Sequence, residues 1–183
     1  MGILADFQIR ALCWPGGEAV MAEPSHPPMV EPFEPSLLNP CSLDVRLGNT
    51  LMIESVQGPE LVKMSIEGTD EENPYLLKPG QFVLAHTVET FHLPDTIAAQ
   101  FALKSSRARE GLSHALAGYC DAGWHGSVLT LELHNIRQLH AIPLWEGKPI
   151  GQMIFHVMDQ RPIRDYSKTG RYNGDKTVSG SKG

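Results

Sequence analysis

The chain has few of the residues that mark disulfide-linked or metal-binding proteins. Its three cysteines, Cys13, Cys41 and Cys120, are odd in number, widely spaced and never in a Cys-x-x-Cys pair. This pattern disfavours a disulfide framework and a thiolate zinc site, and it is typical of the reducing cytoplasm. The histidines form no His-x-x-x-His or His-Glu-x-x-His motif, and the His-x-Glu and Pro-Cys-x-x-Cys elements of zinc-dependent nucleobase deaminases are also missing.

Positive charge and long apolar runs are also scarce. Lysine and arginine total 15 against 21 aspartates and glutamates, which gives a net charge of −6. Because non-specific nucleic-acid binding rests on positive potential, this balance disfavours it, and any anion site has to be built locally. No apolar run approaches the length of about 20 residues that a membrane span needs. With 183 residues, of which 42% are hydrophobic, the chain predicts a single domain, 1–183.

A helical pattern is confined to the N-terminal end. In "ILADFQIRALCW" the apolar residues Ile3, Phe7, Leu12 and Trp14 share one helical face, and Pro-Gly-Gly follows directly as a stop signal. Residues 23–40 are crowded with prolines, which predicts an extended loop rather than a helix or strand. The first 40 residues are therefore predicted to be a short helix followed by a loop.

From that loop onwards the pattern is that of β-strands. Short, partly alternating segments rich in β-branched residues are separated by glycine, proline and asparagine, which favours a sandwich, jelly roll or barrel. The final stretch, 166–183, is polar and glycine-rich and is predicted to be a flexible tail. The predicted strand segments are 42–55, 60–66, 81–93, 126–135 and 150–158.

The stretch "KSSRAREG" combines hydroxyl groups with positive charge. Ser105 or Ser106 is suited to be the N-cap of a short helix, and helix N-termini favour anions. Lys104 before the serines and Arg107 and Arg109 after them add charge that suits a phosphate. A capped turn with solvated basic residues explains the same pattern, and the residues alone leave both interpretations open.

The stretch "AGYCDAGWHG" places one aspartate among glycines. Gly118, Gly123 and Gly126 predict a tight hairpin that a ligand can approach closely. Asp121 either bonds the amides of its own turn or accepts a hydrogen bond from a sugar hydroxyl or an attacking water. Both roles remain open at this level.

A glutamate lies on the strand that follows this turn. Alternation from Val128 puts Thr130, Glu132 and His134 on one face and leucines on the other. Glu132 is then either an ordinary solvent-facing side chain or a general base that projects into a pocket.

Together these segments resemble the trimeric dCTP deaminase family, which is related to the trimeric dUTPases. The resemblance implies a distorted jelly roll of the dUTPase-like β-clip type, assembled as a homotrimer with active sites between subunits. It also implies a deoxynucleoside triphosphate substrate that carries Mg²⁺, and no zinc. The matching segments are "NPCSLDVRLGN" (39–49), "LLKPGQFVLAHTVETFHLP" (76–94), "LKSSRAREGL" (103–112), "LAGYCDAGWHGSVLTLELHN" (116–135), "GKPIGQMIF" (147–155) and "GRYNGDK" (170–176).

The resemblance implies a role for each matching residue. Glu132 is expected to deprotonate a water that attacks C4 of cytosine, with Ser105 holding that water and Arg109 stabilising the charge beside it. Asp121 and the backbone before it are expected to read the deoxyribose. The remaining substrate contacts implied are those of Lys104, Ser105 and Ser106 with the triphosphate, of Ala117, Gly118 and Tyr119 near sugar and base, and of Gln152, Arg171 and Tyr172 closing over the nucleotide.

The activity expected from the resemblance is hydrolysis of dCTP to dUTP and ammonia, with dTTP as an inhibitor. The Gly118-Tyr119 pair resembles bifunctional members, which go on to dUMP and pyrophosphate with the turn aspartate orienting a second water. A plain dUTPase is disfavoured because it needs no base at the position of Glu132. A nucleotide-binding regulator on the same scaffold stays open.

Four positions depart from the family pattern. Lys104 replaces an arginine, and Cys120 replaces an isoleucine. Leu116 stands where the family has threonine beside the base. Asp175 replaces a tail glutamine, and an acid there repels a triphosphate unless Mg²⁺ bridges the two, so no phosphate role is assigned to it.

Overall fold

A computed structural model of the protein describes residues 2–13 and 27–183. Its strands are β1 (Gly2–Ile3), β2 (Val30–Glu31), β3 (Leu38–Asn39), β4 (Ser42–Arg46), β5 (Thr50–Ser55), β6 (Gly58–Ser65), β7 (Tyr75–Leu77), β8 (Phe82–His92), β9 (Ile97–Leu103), β10 (Leu112–His114), β11 (Tyr119–Cys120), β12 (His125–Asn135), β13 (Ile142–Leu144) and β14 (Pro149–Val157). Its α-helices are α1 (Asp6–Cys13), α2 (Ser105–Arg109) and α3 (Tyr166–Thr169). Within the described ranges, no helix is long and apolar enough to cross a lipid bilayer.

Two antiparallel sheets of six strands each form the body of the molecule. The first runs β11-β9-β14-β4-β3, with β1 also paired to β14. The second runs β10-β12-β8-β5-β6, with β2 also paired to β8, and β13 and β7 form a small separate pair. Chain neighbours such as β8 and β9 lie in different sheets, so the chain crosses repeatedly between the layers. The predicted mainly β, jelly-roll-like fold with a short N-terminal helix is confirmed.

The long central strands of both sheets supply the core. Phe91 of β8 and Leu131 of β12 come from one sheet, and Phe155 of β14 comes from the other; all three are fully buried in one cluster. Fully burying a side chain of this size stabilises the fold by about 1.5–3 kcal/mol. The polar side chains that alternate with these residues are left on the opposite face, where a site can form.

The N-terminal helix exists, but its predicted start and buried face are wrong. Ile3 lies in β1, where it pairs with His156, and the helix begins only at Asp6. Ile9 and Cys13, one turn apart, are the residues that α1 buries, whereas Phe7 is 70% exposed. The stripe of α1 that faces the core runs through Ile9, Leu12 and Cys13, so Leu12 is the one described residue of the predicted face that contributes to it. Trp14, which was predicted to share this face, and the predicted stop at residues 15–17 lie outside the described residues.

The proline-rich segment is more ordered than predicted. Val30–Glu31 pairs with β8, and Leu38–Asn39 pairs with β4. A 3-10 turn, Pro35–Leu37, connects them. The prediction of loop throughout is wrong here because the prolines flank these two-residue pairings and do not interrupt them. Residues 23–26 of the predicted loop lie outside the described ranges.

The tail, 166–183, packs along β12. Asp165 caps α3 by accepting a hydrogen bond from Ser167 N at 3.0 Å, and hydrogen bonds from Ser167 and Lys168 lower the pKa of Asp165 to about 2. Further along, Val128 N donates to Asp175 O at 2.9 Å, and the side chain of Val178 is buried. The tail therefore has its own anchors on the sheet, while its flexibility stays a prediction.

Candidate functional site

A cavity of about 790 Å³ opens beside β12, between the β5–β6 hairpin, the turn after β11 and the tail. Its size falls within the range of about 300–1,000 Å³ that is usual for small-molecule sites. Its wall is mostly apolar, with Met52, Leu84, Trp124, Val128 and Leu129 among the lining residues. Several carboxylates also line it, those of Glu60, Asp121, Glu132 and Asp175.

From Thr130 onwards β12 alternates as predicted, which brings Glu132 to this cavity. Before that point a register shift between Val128 and Thr130 interrupts the predicted alternation, and Val128 and Leu129 both line the cavity. Leu131 and Leu133 are fully buried, whereas Thr130, which precedes Leu131, and Glu132, which lies between the two leucines, are half-buried. The strand pairs with β8 in a register that puts Glu132 opposite Leu84, and both line the cavity. The side chain of Glu132 is 24% exposed, so its carboxylate can meet a ligand while remaining partly shielded from water.

A histidine that the sequence analysis missed lies against Glu132. The Nε2 atom of His114 is 3.1 Å from Glu132 Oε2, and the histidine side chain is 4% exposed. Its ring also packs on Phe101, with centroids 4.7 Å apart. Alternation along β10 puts His114 on the buried face with Leu112, so a polar residue at a buried strand position was the available signal.

The segment around Asp121 is a turn between sheets, and the predicted tight hairpin is wrong. Strand β11 pairs with β9 in the first sheet, while β12 belongs to the second. Trp124 N donates to Asp121 O at 3.1 Å to close the turn, and Gly123 takes a φ of 88°. The Asp121 carboxylate is exposed and accepts no hydrogen bond from the described chain. It is therefore free for a ligand and is not used by its own turn.

Of the residues just before Asp121, some line the cavity and one does not. Ala117 and Tyr119 line the cavity, and Tyr119 is 63% exposed. Gly118 is buried and does not line it; a Cβ there would lie 2.6 Å from Phe101 Cβ, so the close packing requires glycine. Burial raises the pKa of the Cys120 thiol to about 12, and the neighbouring Asp121 charge adds to the effect. Cys120 thus remains a neutral thiol in the cavity wall.

The tail forms one side of the cavity through Tyr172, Asp175 and residues 179–181. Trp124 Nε1 donates to Tyr172 O at 3.0 Å, which fixes the tail to the turn. Lys182 Nζ lies 2.5 Å from Asp175 Oδ1, and Ser179 Oγ donates to Asp175 Oδ2 at 2.9 Å. The charge of Asp175 is therefore compensated within the tail itself, which lessens the repulsion expected from an acid at this position.

The basic segment of α2 lies outside this cavity. Lys104, and not a serine, occupies the N-cap, and no side chain caps the helix. The predicted serine cap is wrong because Lys104 takes the extended conformation of a cap residue, which leaves Ser105 and Ser106 as exposed residues of the first turn. Arg107 Nη2 pairs with Glu110 Oε1 at 2.8 Å, and Arg109 is exposed with no ion pair among the described residues.

A polar group on the first sheet surrounds the start of α2. The ammonium group of Lys104 contacts the Asp44 carboxylate, whose Oδ1 accepts a hydrogen bond from Asn39 Nδ2 at 2.8 Å. Gln152 lies opposite Asp44 in the strand pairing and accepts a hydrogen bond from Ser42 Oγ at 2.9 Å. The charge of Lys104 is therefore already compensated by Asp44. Arg109 is the cation of α2 that has no such partner among the described residues.

A buried lysine supports α2 from behind. Lys148 is 1% exposed; its Nζ donates to Pro143 O at 2.6 Å, lies 4.1 Å from the centre of the Trp145 ring and is 3.6 Å from Glu110 Oε2. Burial, together with the nearby Arg107 charge, lowers the pKa of Lys148 to about 8. The glutamate that pairs with Arg107 is thus linked to the interior of the protein.

The structure divides the predicted site residues into two groups. One group lines the cavity: Ala117, Tyr119, Asp121, Glu132 and Tyr172. The other lies outside it in the single chain: Lys104, Ser105, Ser106, Arg109, Gly118, Gln152 and Arg171.

Comparison with known proteins matches most of this chain to one family. The model of the family described as "dCTP deaminase-like" matches residues 21–158, which is most of the chain. The chain belongs to the dCTP deaminase-like family.

Relatives and a solved structure extend this match. The chain is 39% identical over 163 residues to a protein of Methanosphaerula palustris named "dCTP deaminase, dUMP-forming", with 84% of this chain and 86% of the relative covered. It is 40% identical over 167 residues to a protein of the same name from Acidothermus cellulolyticus, with 84% and 85% covered. The solved 2'-deoxycytidine 5'-triphosphate deaminase from Agrobacterium tumefaciens shares the fold, with a TM-score of 0.64, 21% identity and 85% of this chain covered. This chain spans about half, 48%, of that solved chain.

Proposed function

We propose that the protein hydrolyses dCTP in two steps to dUMP, ammonia and pyrophosphate. The observation that carries this proposal is that the carboxylates of Glu132 and Asp121 open into one cavity of nucleotide-compatible size. The name "dUMP-forming" of the relatives supports the two-step reaction over release of dUTP, which was the first expectation from the sequence. Glu132 suits the reaction at the base, and Asp121 suits the reaction at the α-phosphorus.

In the first step Glu132 acts as a general base. It takes a proton from a water molecule while the water oxygen bonds to C4 of cytosine and the C4–N3 double bond opens, and it delivers that proton to N3. It then moves the proton of the new C4 hydroxyl group to the amino group, so that the carbonyl group of uracil forms as ammonia leaves. The bond from C4 to nitrogen then breaks, and ammonia leaves with the base converted to uracil. The apolar wall of Leu84 and Val128 lowers the local water content around the carboxylate and so favours proton transfer.

In the second step Asp121 orients a water molecule towards the α-phosphorus. The water oxygen bonds to phosphorus, the bond to the bridging oxygen breaks, and pyrophosphate leaves. The exposed carboxylate of Asp121, which accepts no hydrogen bond from the described chain, supports this role. The same carboxylate is placed to accept a hydrogen bond from the deoxyribose hydroxyl.

A second copy of the chain is proposed to complete each site. Among the described residues that line the cavity there is no lysine or arginine, although a triphosphate requires cationic partners. Lys104, Ser105, Ser106 and Arg109 are exposed or partly exposed elsewhere on the chain. A homotrimer that brings α2 of one subunit to the cavity of the next supplies the missing charge.

Magnesium is proposed to arrive with the triphosphate. Within residues 2–13 and 27–183 no group of three or more histidine, cysteine, aspartate or glutamate side chains could hold a metal ion alone. Mg²⁺ prefers oxygen ligands and would be held mainly by the phosphate oxygens of the substrate. The ion would then neutralise phosphate charge near the acidic cavity.

The test is to incubate purified protein with Mg²⁺ and either dCTP or dUTP, and to measure ammonia and pyrophosphate separately. The proposal expects both products from dCTP. Ammonia without pyrophosphate would reduce the activity to deamination, pyrophosphate from dUTP alone would identify a dUTPase, and nucleotide binding without either product would identify a regulator. Asp121→Asn is expected to stop pyrophosphate release, and Glu132→Gln is expected to stop ammonia release.

A further inference from the structure

We propose that His114 is a positioning residue that holds the Glu132 carboxylate and ties it to the segment preceding Asp121. The inference rests on the proposed role of Glu132 as a general base. It assigns to His114 a function that the sequence motifs did not indicate, and it begins from the 3.1 Å contact between His114 Nε2 and Glu132 Oε2.

The two atoms of this contact are isolated from other polar groups. Both His114 Nε2 and Glu132 Oε2 are buried, and neither has an aligned hydrogen-bond partner in the described part of the chain. A buried polar atom without a partner costs about 1–3 kcal/mol, which favours a small rotation that aligns the two. Catalytic hydrogen bonds are often poorly aligned without substrate and tighten when substrate binds.

The other ring nitrogen selects the tautomer. Leu116 N donates to His114 Nδ1 at 3.3 Å, so Nδ1 accepts and carries no proton. In the neutral ring the proton is then on Nε2, the atom that faces Glu132. His114 therefore presents a donor to the carboxylate and leaves the second oxygen of Glu132 free to accept a proton from water.

The backbone holds the ring in place. His114 pairs with Leu133 in the β10–β12 register, and Ala115 N donates to Glu132 O at 3.2 Å. The ring packs on Phe101, which also contacts the position of Gly118. Glu132, His114 and the segment 115–118 thus form one connected unit. Within it, Leu116 adopts a left-handed backbone conformation with a φ of 63°.

Two nearly isosteric variants separate the two contacts of the ring. In His114→Gln the side-chain amide reaches the position of Nε2 and donates to Glu132, but the acceptor for Leu116 N is lost. In His114→Asn the amide oxygen replaces Nδ1 as acceptor, but the donor to Glu132 is lost. His140→Gln, at an exposed position, is the matched control.

The expected result is a loss of kcat without a loss of substrate binding. For ammonia release from dCTP, His114→Asn lowers kcat by about 10- to 100-fold with KM within about two-fold, since only the orientation of the base changes. His114→Gln keeps kcat within about three-fold, and His140→Gln behaves as the unmodified protein. Thermal unfolding of each variant establishes that it is folded. Equal rates in the asparagine and glutamine variants would overturn the inference.

A spectroscopic measurement tests the contact without activity. In protein labelled with ¹⁵N-histidine, the His114 ring is expected to show an unprotonated Nδ1 and a protonated Nε2, and Glu132→Gln is expected to shift its Nε2 signal. A proton on Nδ1 would contradict the inference. Absence of ammonia from the unmodified protein would overturn the proposed function and this inference together, whereas normal ammonia release with a proton on Nδ1 would overturn the inference alone.

Discussion

The α2 region and the cavity region of this protein differ in charge, exposure and support. The α2 region, 104–110, is exposed and basic, and its free cation, Arg109, has no ionic partner in the described chain. The cavity region, formed by the turn at Asp121, by β12 and by the tail, is acidic and largely enclosed by apolar side chains. A nucleoside triphosphate needs both environments, one for its phosphates and one for its base.

Under the proposed function, one chain holds two incomplete halves of a site. The cavity region offers chemistry at the base but no cation among its described lining residues, and the α2 region offers a cation but no enclosure. Juxtaposing them across a subunit contact neutralises the acidic cavity as well as completing it. Assembly would then change the electrostatics of the site, and not only its shape.

The largest expected effect comes from the cavity region. Glu132→Gln keeps the shape of the side chain but removes the base, so ammonia release from dCTP is expected to fall by about 10²–10⁴-fold. Steady-state assays of ammonia measure the change. Glu54→Gln, an exposed glutamate on β5, is the control and should not alter the rate. Full ammonia release by Glu132→Gln would show that the base lies elsewhere.

The next effect tests whether the α2 region of one subunit contacts the cavity region of another subunit. Arg109→Ala and Glu132→Gln are each expected to be nearly inactive, but trimers refolded from an equal mixture should contain some sites with both native residues. Random pairing of half-sites from adjacent copies predicts recovery of about a quarter of the native rate. The comparison is between mixed and separately refolded samples. No recovery would mean that both residues of a site come from one chain.

The third effect concerns the support of α2. Because the pKa of Lys148 is lowered to about 8 in the folded protein, the unfolded chain binds more protons between pH 8 and about 10.5. The free energy of unfolding contributed by Lys148 therefore rises with pH across that window, by up to about 3 kcal/mol, and is lost as pH falls through 8.

Lys148→Met isolates this contribution. Urea unfolding at one protein concentration, measured from pH 7 to 10.5, gives the difference in unfolding free energy between native and variant proteins. That difference should shift by the same amount in favour of the native protein as pH rises. Comparison at each pH removes the opposite trend from Cys13 and Cys120, whose raised pKa values of about 12 destabilise the fold above pH 9. A constant difference would contradict the prediction.

The smallest effect concerns strain in the cavity region. Leu116 is 92% exposed and takes a φ of 63°, a conformation that costs a residue with a Cβ about 1–2 kcal/mol and that asparagine tolerates better. Leu116→Asn is expected to raise the unfolding free energy by about 0.5–1 kcal/mol. Leu139→Asn, at a position 83% exposed without a positive φ, is the matched control and should not stabilise. Stabilisation by both variants would mean that exposure and not strain is responsible.

The sequence predicted what depends on local periodicity. The face of β12 that carries Glu132 followed from alternation, and the strands around it from their β-branched segments. Features that depend on distant pairing were not predictable in this way. Lys104 contacts Asp44, 60 positions away in the chain, because β14 pairs both with β9, which ends just before Lys104, and with β4, which carries Asp44.

The same limit explains why parts of the site were missed. His114 lies against Glu132 because β10 pairs with β12, and that register cannot be read from either segment alone. Lys148 is buried although lysines are rarely so. Its partners Pro143 and Trp145 are near it in the chain, but Glu110 comes from a distant segment that no local pattern links to Lys148. The assignment of Ile3 to the helix failed for a related reason, because Ile3 pairs with His156 in β1 and lies outside the helix.

Trp124 gives the protein an intrinsic optical reporter. Its ring lines the cavity and stacks on Phe91 at 5.4 Å, while its indole N–H is bonded to the tail at Tyr172 O. Indole fluorescence depends on the polarity and hydrogen bonding of its surroundings. Displacement of the tail or binding of a nucleotide should therefore change the emission wavelength and intensity of Trp124. With Trp145 replaced by phenylalanine to reduce background, stopped-flow fluorescence could time the movement of the tail relative to release of each product.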